Sequence, residues 1–247
     1  MLTTQAVVLR QWDFSETSQT VALFTRTHGL VRGLAKGAKR EKSRFSGGLE
    51  PVTRGELLFI EPTKSDLATL TEWDLQEVFW GARRSYKSHL AALYLCDLLS
   101  RTVADNDPHP RLFDDLVRLL RALDEDDAHP RVVLEAQWKL LHETGSSPNL
   151  TPPEGTRAVG FDPARGAFVD DPGPDGPLDV WRVRRETLDL LACLAETDRT
   201  PEGTPAEGVR RAASLLAAFL VHALGRDLTT RAAYFDHEPL PNARRSG

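Results

Sequence analysis

The chain has 247 residues, of which 40% are hydrophobic and 27% are charged, and its formal net charge is −5. This length exceeds one minimal domain and suits two or three small ones, and the net charge excludes a surface that binds polyanions everywhere. The charge is uneven: residues 1–64 hold ten Lys or Arg against six Asp or Glu (+4), and the remainder holds 21 against 30 (−9). The asymmetry predicts that the N-terminal part meets a polyanion.

Residues 2–80 have the alternation and punctuation of short β-strands. The strand candidates are TTQAVVLRQW, SQTVALFT, GLVRGLAKG, GELLFIEP and DLATLTEWDLQEV. Gly, Pro, Ser and Asp separate them, as is typical of turns. Five strands in about 75 residues predict a small closed barrel, of which the OB-fold is the commonest version that binds nucleic acid. An SH3-like barrel and an open meander stay open as alternatives, because periodicity does not separate them.

From about residue 82 the pattern changes to helical stripes of apolar residues, which predict an all-α helical body. The predicted helices are 84–103, 110–123, 130–144, 184–196 and 205–224. Residues 145–177 interrupt this body, because six Gly and seven Pro among them leave no periodicity apart from a hairpin candidate around VGFDPARGAFVDD. This segment is either a flexible loop or a small subdomain. The predicted division is 1–80 for the barrel, 81–145 and 181–237 for the helical body, 146–180 for an insert and 238–247 for a disordered tail.

No segment of the sequence indicates export or membrane insertion. The N-terminus lacks an apolar run of signal-peptide length, and nothing approaches the roughly 18 apolar residues of a membrane span. Cys96 and Cys193 lie in apolar runs without a CxxC arrangement, which predicts two buried free thiols and a reducing compartment. We therefore expect a cytoplasmic protein.

The sequence offers no catalytic constellation. It contains no GxSxG, P-loop, HExxH or dinucleotide-binding motif, and its seven histidines are scattered. Asp105, Asp107, Asp114 and Asp115 could hold a metal ion, but carboxylates around a helix start more often cap it or lie on its surface. We expect a protein that is not an enzyme and that uses no cofactor and no metal.

The strongest positive signal is a basic stretch between predicted strands. Residues 32–54 hold seven Lys or Arg and two acids, a composition that suits a phosphate backbone. The candidate DNA-binding residues are Arg32, Lys36, Lys39, Arg40, Lys42, Arg44 and Arg54, extended by Arg83 and Arg84 at the junction with the helices. Phe45 either stacks on a base or closes the end of the barrel. Trp12 and Trp73 are predicted core residues. No base-reading motif is visible, so we expect little sequence specificity.

These residues resemble the RecO family of bacterial recombination mediators. The resemblance rests on the turn Glu16 to Ser18, the segment Thr25 to Gly29, the loop Gly37 to Arg40 and the segment Leu49 to Pro51. It also rests on the C-terminal run LGRDLTTR, in which Thr230 replaces the usual serine. The family fold is an N-terminal OB domain, a helical body and a small zinc-finger-like insert.

The resemblance implies a function that composition does not show. Family members bind single- and double-stranded DNA and anneal complementary strands. With RecR they help to load RecA onto DNA covered by single-strand-binding protein (SSB), which implies an association with the nucleoid. The family also binds the acidic C-terminal tail of SSB in its helical body. Such a tail requires an apolar pocket flanked by cations, for which the candidates are Arg118, Arg121, Trp138 and Lys139.

The insert departs from the family pattern. Many relatives carry two pairs of cysteines there, whereas this chain has Asp170 at an expected Cys position and Gly173 at its partner. Four-coordinate structural zinc requires Cys or His donors, so we expect a hairpin without metal, stabilised by proline and by packing of Phe161, Phe168 and Trp181.

Two other functions stay open. One is a protein-interaction scaffold whose OB domain binds a partner protein, and the other is a hydrolase or nuclease without a recognisable motif.

Overall fold

The computed structural model describes residues 1–62, 67–151 and 158–235. It divides into two compact units, Met1–Ala128 and His129–Gly247. The five-part division predicted from composition is finer than this split and stays a prediction. The predicted disordered tail, 238–247, lies outside the described residues.

The first unit begins with a closed barrel. Its strands are β1 (Leu2–Asp13), β2 (Gln19–Thr25), β3 (Gly29–Ala35), the two-residue β4 (Phe45–Ser46), β5 (Thr53–Ile60) and β6 (Ala68–Val78). The hydrogen-bonded order is β3-β2-β1-β5-β6, and a parallel pairing of β3 with β6 closes the five long strands. This topology confirms the OB prediction and removes the SH3-like and meander alternatives.

Alternating side chains explain the barrel. Along β5, residues Thr53, Gly55, Leu57 and Phe59 are buried and their neighbours are more exposed, as expected of strands with one face on a core. The fully buried Trp73 of β6 lies in that core, which confirms its predicted place.

Two glycines allow the strands to approach closely. A Cβ on Gly33 would lie 2.3 Å from Cδ2 of Leu70, and a Cβ on Gly55 would lie 2.3 Å from the carbonyl oxygen of Asp74. Gly33 therefore serves the closure of the barrel, because it lies in the pairing of β3 with β6.

Three helices complete the first unit. They are the short α1 (Gly81–Arg84), α2 (Tyr86–Thr102) and α3 (Pro110–Ala122). Ser85 caps α2 by accepting a hydrogen bond from the backbone N–H of Ser88, and Pro110 lies at the start of α3, where its missing N–H is harmless. Helices α2 and α3 confirm the predicted positions to within two residues, whereas α1 was not predicted.

The second unit holds four helices and a small sheet. The helices are α4 (His129–Glu143), α5 (Arg185–Thr197), α6 (Ala206–Leu224) and α7 (Thr229–Phe235). The strands are β7 (Ala158–Asp162), β8 (Ala167–Val169) and β9 (Trp181–Arg184), in the order β8-β7-β9. β7 and β8 confirm the predicted hairpin, whereas β9 was not predicted.

An aromatic cluster holds the insert. The ring centroid of Phe161 lies 5.0 Å from that of Phe168, 5.7 Å from that of Trp181 and 5.4 Å from that of Phe219 on α6. Asp171 adds a bidentate ion pair with Arg182, at 2.9 and 3.0 Å. The three predicted rings thus pack together, with α6 as a fourth partner.

The metal site of the family does not fit this insert. Asp170 offers a hard carboxylate oxygen and Gly173 has no side chain to offer, whereas structural zinc requires soft Cys or His donors at these positions. Across the three described ranges, no group of three or more His, Cys, Asp or Glu side chains is arranged to hold a metal ion.

Candidate nucleic-acid interface

Residues 36–44, which we call the basic loop, connect β3 to β4. Ala38 packs partly buried against the barrel core, and Phe45 is fixed in that core at the end of the loop. Gly37 has φ +71°, which allows the tight turn that is closed by a hydrogen bond from the Arg40 N–H to the Gly37 carbonyl at 3.0 Å. The apolar anchors point inward, so the charged side chains between them face solvent.

The basic loop is also fastened to the turn between β1 and β2. The backbone N–H of Lys39 donates to the carbonyl of Thr17 at 3.1 Å, and that of Gly37 donates to Oγ of Ser18 at 3.2 Å. At its far end, the carbonyl of Arg44 accepts from the N–H of Trp73 at 3.1 Å. These bonds fix the path of the loop on the barrel.

Four cations of the basic loop are exposed and unpaired. Lys36, Arg40, Lys42 and Arg44 form no ion pair with any residue of the described ranges. The fifth, Lys39, pairs with the exposed Asp13 of β1. The loop therefore presents several positive charges that form no ion pair with a carboxylate of the described residues.

The other described cations of the barrel are paired. Arg32 donates to both carboxylate oxygens of Asp105 at 2.8 and 2.6 Å. Arg54 donates to Glu77 at 2.8 Å and to the side-chain oxygen of Gln5 at 3.1 Å. Both predicted DNA-binding residues thus lie in ion pairs, outside the basic loop.

Ion pairs also join the barrel to its helices. Arg10 donates to Asp97 of α2 at 3.0 Å, and Arg26 holds Asp114 of α3 through two bonds of 2.9 Å. Hydrogen bonds from Arg26 lower the pKa of Asp114. A charged pair with two parallel hydrogen bonds stabilises the contact and also fixes the relative orientation of its two partners. These arginines therefore stabilise the packing of the helices on the barrel.

Glu77 is the centre of one such network. It accepts two bonds from Arg121 of α3, at 2.6 and 2.8 Å, and one from Arg54 of β5. The hydrogen bonds from Arg121, and then those from Arg54, hold the pKa of the Glu77 carboxyl below its usual range against the opposing effect of partial burial.

Arg83 and Arg84 lie at the start of the helices. Arg83 donates to Glu50 at 2.8 Å, and Arg84 donates to the carbonyl of Asp124 at 2.6 Å with its carboxylate 3.6 Å away. Both arginines line a groove of about 620 Å³ together with the exposed Tyr86. They are accessible but already paired.

The structure decides between the two roles that the sequence left open for Phe45, and it corrects the role of Trp12. Phe45 is 6% exposed and belongs to the barrel core, so its ring offers no face to a base and the barrel-closing interpretation replaces stacking. Trp12 is 45% exposed, and its assignment to the core was wrong. The signal was available in the sequence, because Arg10, Gln11 and Asp13 end the apolar alternation of β1 around it.

The candidate contacts for an SSB tail do not form one cluster within a unit. Arg118 and Arg121 lie on α3 of the first unit, where they pair with Asp115 at 3.2 Å and with Glu77. Trp138 is buried in the second unit, and Lys139 is buried beside it with its ammonium 2.6 Å from Asp198. Burial of Trp138 and Lys139 corrects the expectation that they flank an open pocket, and the contact with Arg118 and Arg121 stays a prediction.

Three of the four acidic residues that could have held a metal ion are bound to arginines instead. Asp105 pairs with Arg32, Asp114 with Arg26, and Asp115 with Arg118. Asp107 lies 3.2 Å from the ring of His109.

Cys96 is a buried free thiol, as predicted, and burial raises its pKa to about 12. Cys193 is also free but only half-buried. Among the helices of the described residues, none combines the length and the apolar character needed to cross a bilayer.

Fold and site together define a protein with a closed five-stranded OB-type barrel, an exposed cationic loop on that barrel and a helical second part. Residues 1–79 match the family described as "Recombination protein O N terminal", and residues 83–232 match "Recombination protein O C terminal". The chain therefore belongs to the RecO family of DNA repair proteins.

Curated relatives agree with this assignment. The chain is 33% identical to the DNA repair protein RecO of Myxococcus xanthus over 90% of this chain and 92% of the relative. It is 32% identical to that of Anaeromyxobacter dehalogenans over 91% and 92%. For the relative from Rhodopirellula baltica the identity is 36%, over 81% of this chain and 77% of the relative.

Proposed function

We propose that this protein binds single- and double-stranded DNA through the basic loop and anneals complementary strands. The observation that carries the proposal is a set of exposed cations, Lys36, Arg40, Lys42 and Arg44, that form no ion pair within the described ranges and lie on a loop that hydrogen bonds hold against the barrel. Cations that no carboxylate balances gain most from a phosphate, because binding releases counterions without breaking an ion pair.

Annealing follows from the same charge. Two complementary strands repel each other through their phosphates, and a cationic surface that binds both reduces that repulsion. The contacts are to phosphate rather than to base edges, so the proposed activity has little sequence preference.

We further propose that the protein works with RecR to promote RecA loading on SSB-coated DNA at the nucleoid. Support comes from the family signature at both ends of the chain and from the length over which curated RecO proteins match it. Purified RecR, RecA and SSB test this role: RecA filaments should form on SSB-coated strands only when both this protein and RecR are added. Filament formation that is independent of this protein would contradict it.

The proposed role is not catalytic. The candidate metal-binding carboxylates Asp105, Asp114 and Asp115 are each held by an arginine. Labelled DNA incubated with the protein and Mg²⁺ or Mn²⁺ should therefore stay intact. Cleavage that copurifies with the protein would favour the nuclease alternative.

The decisive experiment reverses charge at the basic loop. The triple variant Lys36→Glu, Arg40→Glu and Arg44→Glu should weaken binding of a single-stranded oligonucleotide by at least about 100-fold at low salt, measured by fluorescence anisotropy. The matched control reverses Arg199, Arg210 and Arg226 of the second unit, which are exposed and form no ion pair within the described ranges. Both variants change the net charge by the same amount.

The control separates a local interface from general electrostatics. Binding should fall much less in the control than in the loop variant, and circular dichroism should show both variants folded. Equal losses would refute the loop as the interface. Wild-type protein that binds no DNA at low salt would refute the proposed function and favour a scaffold whose barrel binds a protein.

A further inference from the structure

Two large aromatic side chains stand exposed at the end of β1. Trp12 is 45% exposed and Phe14 is 62% exposed. Single exposed apolar residues are common on soluble proteins, but two aromatic rings within three residues form a small apolar surface. Their position next to the basic loop distinguishes them further.

The turn that carries these rings is bound to the basic loop. Asp13, between the two aromatic residues in sequence, pairs with Lys39 of the loop. Within the turn, the N–H groups of Phe14 and Ser15 both donate to the carbonyl of Ser18 at 3.1 Å. Since the backbone N–H of Lys39 also donates to the carbonyl of Thr17, the basic loop and the turn that carries the two rings are bound to each other.

The Trp12 ring is held in place before any ligand arrives. The guanidinium carbon of Arg10 lies 5.3 Å from the centroid of the Trp12 ring, and Arg10 is fixed in turn by Asp97 of α2 at 3.0 Å. A cation over one face of an indole orients it and leaves the opposite face for a second planar group. A ring that is already oriented loses less conformational entropy on binding.

A second exposed aromatic pair provides a contrast. Trp80 and Tyr86 are exposed near α1, but the cations beside them, Arg83 and Arg84, are paired with Glu50 and Asp124. That surface lacks the free positive charge that a phosphate chain requires. The turn that carries Trp12 and Phe14, by contrast, is bound to the loop whose other cations form no ion pair within the described ranges.

We propose that Trp12 and Phe14 stack on unpaired nucleobases of a single strand whose phosphates lie on the basic loop. This inference rests on the proposed DNA binding and adds the source of a preference for single strands, because bases in a duplex are not available for stacking on a protein ring. Every base has a π-face, so such stacking is tolerant of sequence.

The experiment compares an ordinary oligonucleotide with an abasic one of the same length, which retains the phosphates and lacks the bases. Wild-type protein should bind the base-containing strand more tightly, by about tenfold or more for two stacked bases. In the double variant Trp12→Ala and Phe14→Ala, this preference should disappear while the salt dependence stays unchanged. Tyr86→Ala is the matched control and should keep the full preference.

Tryptophan fluorescence gives a second readout that does not require removal of the ring system. A base-containing oligonucleotide should quench the emission of the wild type and of Trp80→Phe, whereas Trp12→Phe should lose most of the quenching and keep most of its affinity. Circular dichroism identifies any variant that fails to fold, and the Trp12→Phe result then decides the case.

The outcomes separate this inference from the function on which it rests. DNA binding with no preference between base-containing and abasic strands, or a preference that survives in the double alanine variant, overturns stacking and leaves the phosphate interface standing. Absence of DNA binding in the wild type removes both. Loss of preference in the double alanine variant alone supports stacking.

Discussion

The arginines that join the barrel to its helices and the cations of the basic loop carry the same charge but differ in what balances it. Arg26 and Arg32 each hold a carboxylate of the same unit. Arg40 and Arg44 hold none among the described residues. A phosphate that approaches Arg32 must compete with Asp105, whereas one that approaches Arg40 displaces only water and salt ions.

This comparison shows that a count of positive residues in the sequence overestimates the number of cations that are available to bind phosphate. Nine Lys or Arg side chains were predicted to contact DNA, and the structure sorts them into loop cations that are available and arginines that fasten the unit together. The loop cations and the paired arginines can be tested separately.

The largest expected effect concerns annealing. The rate at which complementary strands anneal on the wild-type protein should fall at least about 100-fold between about 0.05 and 1 M salt, because exposed unpaired charges are screened at the higher concentration. Stopped-flow fluorescence with labelled strands measures this rate. Reactions without protein provide the baseline, and an acceleration by the protein that is the same at both salt concentrations would refute the electrostatic mechanism.

A substitution on the paired side should affect stability instead. Glu77→Gln removes the carboxylate shared by Arg54 and Arg121 and should destabilise the protein by about 2 kcal/mol, measured by urea denaturation, without weakening DNA binding by more than about twofold. Glu56→Gln, on the exposed face of β5, is the control and should change stability by less than about 0.5 kcal/mol.

The same variant makes a prediction about pH. Because the pKa of Glu77 is lowered in the folded protein, chiefly by Arg121, the carboxylate contributes stability above its unfolded pKa of about 4.3. That contribution is lost as the pH falls through the lower folded pKa. The stability difference between wild type and Glu77→Gln should therefore be full at neutral pH and shrink below about pH 4. A difference that grows on acidification would contradict the assignment.

The smallest expected effect concerns Lys39, which belongs to the basic loop but is paired with a carboxylate as the structural arginines are. Asp13 is the carboxylate paired with Lys39 of the basic loop, so Asp13→Asn should free this ammonium group and tighten DNA binding by about two- to fivefold at low salt. The gain should vanish at high salt. Glu56→Gln removes the same charge from the barrel at a distance from the loop in sequence, and it should give a smaller gain.

Local patterns predicted most of the fold. Alternation and turn residues located the five long strands, and apolar stripes between Pro and Gly located five helices, because these signals depend on neighbours in the chain. β9 escaped prediction because its four residues, Trp181–Arg184, are too few to show a period.

The candidate site was predictable only in part. Charge composition indicated the basic stretch, but the ion pair that holds Arg32 joins it to Asp105, 73 positions further along the chain, which no local pattern reveals. Tertiary contacts also explain why the sequence left the burial of Phe45 open and did not predict the exposure of Trp12. Phe45 follows a cation, yet a two-residue strand beside β6 draws it into the core, and Trp12 lies beyond the part of β1 that the barrel buries.

The most direct test of the account is the salt dependence of single-strand affinity for the wild-type protein, measured by anisotropy over about 0.05 to 0.5 M salt. Four unpaired cations predict a linear decrease of the logarithm of the binding constant with the logarithm of salt concentration, with a slope between about −2 and −4. A slope between zero and about −0.5 would contradict the central claim, because binding would then not depend on phosphate contacts of the basic loop.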